Sequence, residues 1–216
     1  GVKVALYSEV RIPRGGEYKV VLPDGTIVWL NAESSLRFPT LFTGKERKVY
    51  AKGELYFDVK HDETKPFIVE VEKDYAVRVL GTEFNLRAYS GSPIATTLVE
   101  GRVQVKGMDN IVLLSSGQQA LEVPGTHDIE VFDVDVAPYV AWHEGKFHFV
   151  HAPLKDIMEE LARWYDVEVV FENPAVRDEC FTIEMQRFDD FNKVLRLIER
   201  TDIVTISVDG HIVTVK

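Results

Sequence analysis

Three histidines, His143, His148 and His151, stand close together, and imidazole nitrogens so placed could hold zinc. On an extended segment Phe147–Val150, though, His148 points away from the phenylalanines while His151 follows them, so convergence on one ion would require a bend. Carboxylates are paired at Asp133 and Asp135, Glu159 and Glu160, and Asp189 and Asp190. Cleaving a glycosidic bond takes two carboxylates facing across a cleft. These three pairs read instead as a linker, a solvated helix face and a helix cap. Cys180 follows Asp178 and Glu179, neighbours that raise a thiol pKa rather than lower it. The chain has no Gly-x-Ser-x-Gly elbow, no Gly-x4-Gly-Lys-Ser/Thr phosphate loop and no His-Glu-x-x-His. Aromatic residues cluster at Trp29, Tyr50, Tyr56-Phe57 and Phe147 to Phe149, where exposed rings could stack on sugars. Alternation with Leu55 and Val59 assigns those of the first part to a β core, and the basic run Lys45–Lys48 reads as a loop crest. No catalytic residue, metal ligand or cofactor site is nominated.

The 216 residues suffice for one large domain or two modest ones. At 45% apolar and 11% aromatic content there is material for a packed core, which argues against disorder. Lysine and arginine number 25 against 35 aspartates and glutamates, a net charge of −10. Such a balance disfavours nucleic acid and anionic membrane surfaces, which need clustered positive charge. It is carried by both parts, −6 from Pro138 onward and −4 before it. One cysteine allows no disulfide within the chain and leaves the redox compartment open. No run approaches the roughly 20 apolar residues of a membrane helix; the longest, Val136–Trp142, contains Pro138. With Gly1 at its start and no leader, the chain reads as part of a longer protein.

Residues 1–137 read as wholly β. Short runs rich in Val, Ile, Tyr and Phe alternate with Gly, Pro and Asp-Gly turns. Lys19–Leu22 and Ile27–Leu30 flank Pro23-Asp24-Gly25, a hairpin signal. Further strands are expected at Arg47–Tyr50, Glu54–Val59, Phe67–Val71, Ala76–Leu80, Phe84–Tyr89, Thr96–Val99, Arg102–Val105, Asn110–Leu114 and Gln119–Val123. Glycines recur at Gly53, Gly81, Gly101 and Gly117 without a fixed period. A sandwich and an irregular solenoid both fit.

Residues 138–216 read as a small α+β domain, two helices packed on a short sheet, in the order β-α-β, β-α-β-β. Pro153 opens a helix whose apolar stripe is Leu154, Ile157, Met158, Leu161 and Tyr165. Asp189 or Asp190 caps a second, with Phe191, Val194, Leu195 and Ile198 on one face. Strands are expected at Val167–Phe171, Phe181–Met185, Ile203–Val208 and His211–Val215. A turn at Asp209-Gly210 pairs Val208 with His211, Ile206 with Val213 and Val204 with Val215.

Leu22-Pro23-Asp24-Gly25-Thr26, Val28-Trp29-Leu30-Asn31-Ala32 and Ser34-Ser35-Leu36 are similar to the opening signature of FecR-type proteins. So are Phe38-Pro39, Phe42, Arg47, Val49, Gly53-Glu54-Leu55-Tyr56-Phe57-Asp58-Val59 and Lys65-Pro66-Phe67. The likeness runs on through Val79-Leu80-Gly81-Thr82-Glu83-Phe84-Asn85 and Thr97-Leu98-Val99-Glu100-Gly101-Arg102-Val103. Trp142, Gly145-Lys146-Phe147-His148-Phe149 and Leu161-Ala162-Arg163-Trp164-Tyr165-Asp166-Val167 resemble the C-terminal domain that accompanies it. The resemblance implies a solenoid-like FecR domain and a C-terminal domain similar to the short secretin/TonB N-terminal fold. It implies the periplasmic portion of a single-pass inner-membrane regulator, which senses the N-terminal signalling domain of an outer-membrane TonB-dependent transporter. The sigma factor would be held only by a cytoplasmic segment missing here.

On this reading the chain binds proteins and catalyses nothing. The transducer's signalling domain would add to an open sheet edge of the C-terminal domain, at Ile203, Thr205 and Ser207 or at Phe181 and Ile183. The other reading is a carbohydrate-binding β protein of the cell envelope.

Overall fold

The computed structural model describes residues 6–72, 74–126 and 128–216. The chain forms two compact units: the first runs to Val136, except that Arg14–Gly16 belong with Ala137–Lys216 in the second.

In chain order the first unit holds β1 (Tyr7–Arg11), β2 (Tyr18–Val21), β3 (Ile27–Leu30), β4 (Ser35–Pro39), β5 (Arg47–Asp58), β6 (Phe67–Glu70) and β7 (Ala76–Val79). Then come β8 (Glu83–Ala88), β9 (Ala95–Glu100), β10 (Arg102–Lys106), β11 (Ile111–Ser115), β12 (Gln118–Glu122) and β13 (Ile129–Asp133). The protein is mainly β. Along the main path the order is β11-β10-β7-β6-β5-β8-β9-β12-β13. Strand β5 is the pivot. Its first half pairs with β4 and in parallel with β6, its second half with β3 and β8. The two expected strands Arg47–Tyr50 and Glu54–Val59 are thus one twelve-residue strand that passes from one layer to the other.

Gly53 makes that passage possible. Its φ of 84° is a left-handed conformation, and a Cβ there would lie 2.7 Å from the Ser34 Cα and 2.8 Å from the Glu33 carbonyl oxygen. Between the layers lies one apolar core. The Phe57 ring stacks on Phe84 at 4.9 Å and meets Phe67 edge-on at 6.2 Å. All three are fully buried.

Arg47, 2% exposed, sits at the start of β5. Its Nε donates to the Lys65 carbonyl at 2.8 Å and Nη1 to Asp24 Oδ2 at 2.8 Å and the Lys60 carbonyl at 2.7 Å. Nη2 reaches the Leu80 carbonyl at 3.2 Å. One guanidinium therefore fastens the Pro23-Asp24-Gly25 turn and three other loop segments. Planar, forked and always charged, it can do this where a lysine could not. The Asp24 carboxylate also accepts from the Thr26 amide and hydroxyl.

The second unit begins with α1 (Ala137–Val140) and a 3-10 turn, Ala141–Glu144. It continues through β14 (Lys146–Pro153), α2 (Leu154–Tyr165), β15 (Glu168–Phe171), β16 (Cys180–Gln186), α3 (Phe191–Glu199), β17 (Ile206–Asp209) and β18 (Ile212–Val215). From β14 onward the order of strands and α-helices matches the reading from sequence, but α1 was not expected and the single short sheet is not found. Two separate sheets form: β14 antiparallel to β16, and β15-β18-β17 with β15 parallel to β18. Pro153 is the last residue of β14, extended at ψ 140°, and the helix starts one residue later. Leu154, Ile157, Met158 and Leu161 are fully buried, as their spacing requires.

The last hairpin is offset from expectation. Asp209 pairs with Ile212, Val208 with Val213 and Ile206 with Val215, so the two-residue loop is Gly210-His211. Gly210, at φ 60°, takes the first loop position, where turns with a leading glycine need positive φ. The change moves each partner by two residues, so the faces survive: Val213 and Val215 are fully buried and Val204 nearly so.

Gly53→Ala should lower the unfolding free energy by about 2–4 kcal/mol. Gly91→Ala, at φ 83° with no neighbour within 4 Å, should cost only about 1–2 kcal/mol. Urea denaturation separates the two; equal losses would mean that the bend of β5 carries no packing constraint.

Burial pushes the Tyr75 phenol well above its ordinary value. The unfolded chain ionises it near pH 10 while the folded one keeps it protonated. Its stabilisation is thus whole below about pH 10 and is lost as pH rises toward the folded value. Tyr75→Phe gives up the 2.9 Å contact with the Thr96 hydroxyl, and its stability should fall less steeply than wild type between pH 10 and 12.

Candidate functional site

Among the described residues, the histidines, the cysteine and the clustered aromatics singled out by their type lie in ordinary structural settings. Among the described residues no three His, Cys, Asp or Glu side chains come together to hold a metal ion. His143 Nδ1 contacts the Val140 carbonyl, and His151 is exposed at a break in the β14–β16 register. Cys180 is exposed. In the first unit the Trp29 ring carries Lys19 Nζ 4.6 Å from its centre and meets Tyr56 edge-on, an arrangement unlike an open sugar platform.

The second unit instead offers a groove of about 920 Å³ between β16 and α3. Strand β16 buries Phe181, Ile183 and Met185 and exposes Cys180, Thr182, Glu184 and Gln186. Which way its backbone groups point follows from its ends. The Arg187 amide donates to the Gly145 carbonyl, and the Leu154 amide to the Glu179 carbonyl. In an antiparallel ladder alternate residues bond to the same neighbour. The odd residues 181, 183 and 185 therefore bond to β14. Thr182 and Glu184 turn their amides and carbonyls the other way, to the side where no strand of the two-stranded sheet follows. That edge lines the groove, opposite Val194, Leu197, Arg196 and Arg200 of α3 and its end.

Contacts from α2 fix the loop that joins β16 to α3. Trp164 Nε1 donates to the Arg187 carbonyl at 2.6 Å, and the Tyr165 hydroxyl to the Asp189 carbonyl at 2.8 Å. Burial, reinforced by the nearby Asp189 charge, pushes the Tyr165 phenol up to about 12. The Arg187 guanidinium lies 4.0 Å from the Trp164 ring centre and within 6 Å of those of Trp142 and Phe147, a cation held by aromatic faces. Asp190 caps α3, accepting from the Asn192 and Lys193 amides.

The sites expected from sequence fall unevenly on this geometry. Phe181 and Ile183 lie on the open-edged strand, but their side chains are core and their backbone groups face β14. Ile203 lies before β17. Thr205 bonds through both backbone groups to Lys216, which puts residues 205, 207 and 209 toward β18. The outward amides of that edge are those of Ile206 and Val208, and the first is taken by Glu199 Oε1 at 2.7 Å. A carboxylate of α3 thus blocks part of the β17 edge. The groove residues Glu184, Arg196 and Arg200 were not singled out from sequence. Their one visible signal is a pair of arginines four apart on an amphipathic helix, a like-charge spacing that costs helix stability.

Comparison with known proteins gives this architecture its class. The family described as FecR protein matches residues 8–104, and that described as FecR, C-terminal matches residues 146–215. Two crystal structures of a candidate anti-sigma factor from Parabacteroides distasonis, at 1.65 and 2.50 Å, each superpose with a TM-score of 0.88. Each is 30% identical, over 97% of this chain and 98% of theirs. No protein of curated function matches. The chain belongs to the FecR family of anti-sigma factors, a regulatory class.

Glu199→Ala should speed hydrogen exchange at the Ile206 amide by about tenfold or more, leaving Glu184 unchanged. Unchanged protection at Ile206 would mean that something other than this carboxylate covers the edge.

Proposed function

We propose that this chain is the periplasmic sensor portion of a FecR-type anti-sigma regulator. It relays a signal from an outer-membrane TonB-dependent transducer to an extracytoplasmic-function sigma factor, and it does so by protein–protein binding. The transducer's N-terminal signalling domain docks on the second unit. No residue of this chain touches the sigma factor in this reading; that contact belongs to a cytoplasmic segment beyond a membrane helix. The observation that carries the proposal is the uncovered edge of β16 beside a groove, in a unit matched by the family's C-terminal domain. Unpaired edge amides and carbonyls are a template for a partner's strand, which gains affinity through main-chain hydrogen bonds.

Two proline variants test it. Glu184→Pro deletes an amide that faces the open edge and spares the β14 ladder, a position where a strand tolerates proline. Its circular dichroism should match wild type. Its binding to the purified N-terminal signalling domain of a TonB-dependent transducer from the same organism should weaken by more than about tenfold. Val208→Pro, which deletes an outward amide of β17, should bind normally. Binding that survives Glu184→Pro would remove β16 as the docking edge.

A further inference from the structure

We infer that the β16–α3 groove selects an acidic extended segment, one that pairs with β16 and sets carboxylates against Arg196 and Arg200. The inference rests on β16 being the docking edge and adds what the edge recognises.

Charge accounting around the groove leads there. Every acidic residue that lines it already has a partner within the chain. Glu184 lies 3.8 Å from Lys146 Nζ, Asp189 holds Lys193 Nζ at 2.9 Å, and Glu199 accepts the Ile206 amide. Arg196 and Arg200 form no ion pair among the described residues; Arg196 only donates Nε to the Asn192 carbonyl on its own helix. Both are exposed. Arg200 keeps helical φ and ψ, and its amide bonds to the Arg196 carbonyl, so the two side chains leave the same face one turn apart. The result is two guanidiniums without a carboxylate partner among the described residues, in a groove lined by three acidic and three basic side chains on a unit whose net charge from Pro138 onward is −6.

The spacing suits a strand. Residues four apart on a helix rise about 6 Å, and residues two apart on a strand about 6.8 Å. Two consecutive helix-facing carboxylates of an added strand can thus each meet a guanidinium. Leu197, 38% exposed, and Met185 supply an apolar surface for the flanking helix-facing positions. Guanidinium–carboxylate hydrogen bonds are strong and directional, so they specify register as well as charge. They also leave a lysine-bearing strand repelled, which is selection against the wrong partner.

The test uses nine-residue peptides, capped at both ends, in which threonine alternates with Val, Glu, Glu and Val. Companions carry Gln or Lys in place of Glu. Titrated into the full chain at low salt and followed by backbone amide resonances, the Glu peptide should bind at least about tenfold tighter than the Lys peptide. The Gln peptide should fall between, and the shifts should centre on Thr182, Glu184 and α3. Arg196→Glu combined with Arg200→Glu should invert the order. Arg196→Gln with Arg200→Gln should abolish it, which guards against a folding defect in the first pair. Equal affinities, an order that survives charge reversal, shifts centred elsewhere or no binding by any peptide would each overturn the inference. A preference for Glu in a chain that fails to bind the transducer domain would remove the transducer and keep the groove. Transducer binding that ignores both arginines would remove this inference alone.

Discussion

Strand β5 belongs to both layers of the first unit, and the rest of that unit is arranged around the bend that lets it do so. A continuous strand can leave one sheet and enter another only where its backbone turns sharply, and here the turn occurs at Gly53. Beside the bend the buried Glu54 carboxylate accepts from Asn31 and Asn85, and the Glu54 amide donates to the Ser34 hydroxyl oxygen. At the start of the same strand Arg47 gathers the loops. Residues that look scattered in the sequence, Pro23-Asp24-Gly25-Thr26, Arg47, Gly53-Glu54 and Lys65-Pro66, thus converge on one structural device. Their role is mechanical: they hold a corner that apolar packing alone could not define.

In the second unit the governing fact is an asymmetry between strand edges. The outward Ile206 amide of β17 is occupied by Glu199, whereas the outward groups of Thr182 and Glu184 on β16 meet no neighbouring strand. Nature commonly blunts edges with charges or cover. One edge here follows that rule and another does not. An uncovered edge next to a charged helix end fits a protein whose work is to be recognised, and fits membership of a family of regulators.

Much of this architecture was legible in the residues. The hairpin β2–β3 followed from Pro-Asp-Gly, and the α2 stripe from helical spacing. Strands β1 and β13 carry weak signals, since Tyr7–Arg11 holds three polar residues and Ile129–Asp133 lacks clean alternation, β13 burying only its first residue. Ser35–Pro39 alternates polar and apolar residues and was legible, although it is not among the expected strands. The joined strand β5 was hidden because glycine ordinarily marks a break, and only tertiary pairing shows that the ladder runs through Gly53. The offset in the last hairpin arose because Asp-Gly and Gly-His both make plausible two-residue loops, and a shift of two leaves every face unchanged. The site was less legible still. Alternation told which side chains of β16 are buried, but not which amides lack a partner, since that depends on a strand far away in the chain. Arg196 and Arg200 became informative only once Asp189, Glu184 and Glu199 were seen to be committed elsewhere.

The pivot strand has a kinetic consequence. Its four pairing partners, β3, β4, β6 and β8, span residues 27 to 88, and no local hairpin satisfies it. Closing such separated segments demands loop entropy before any contact repays it, which places the first unit among slow-folding topologies. No nascent fragment ending before β8 can pair both edges of the second half of β5, so the emerging polypeptide carries an open strand edge along Gly53–Asp58 until that point is passed.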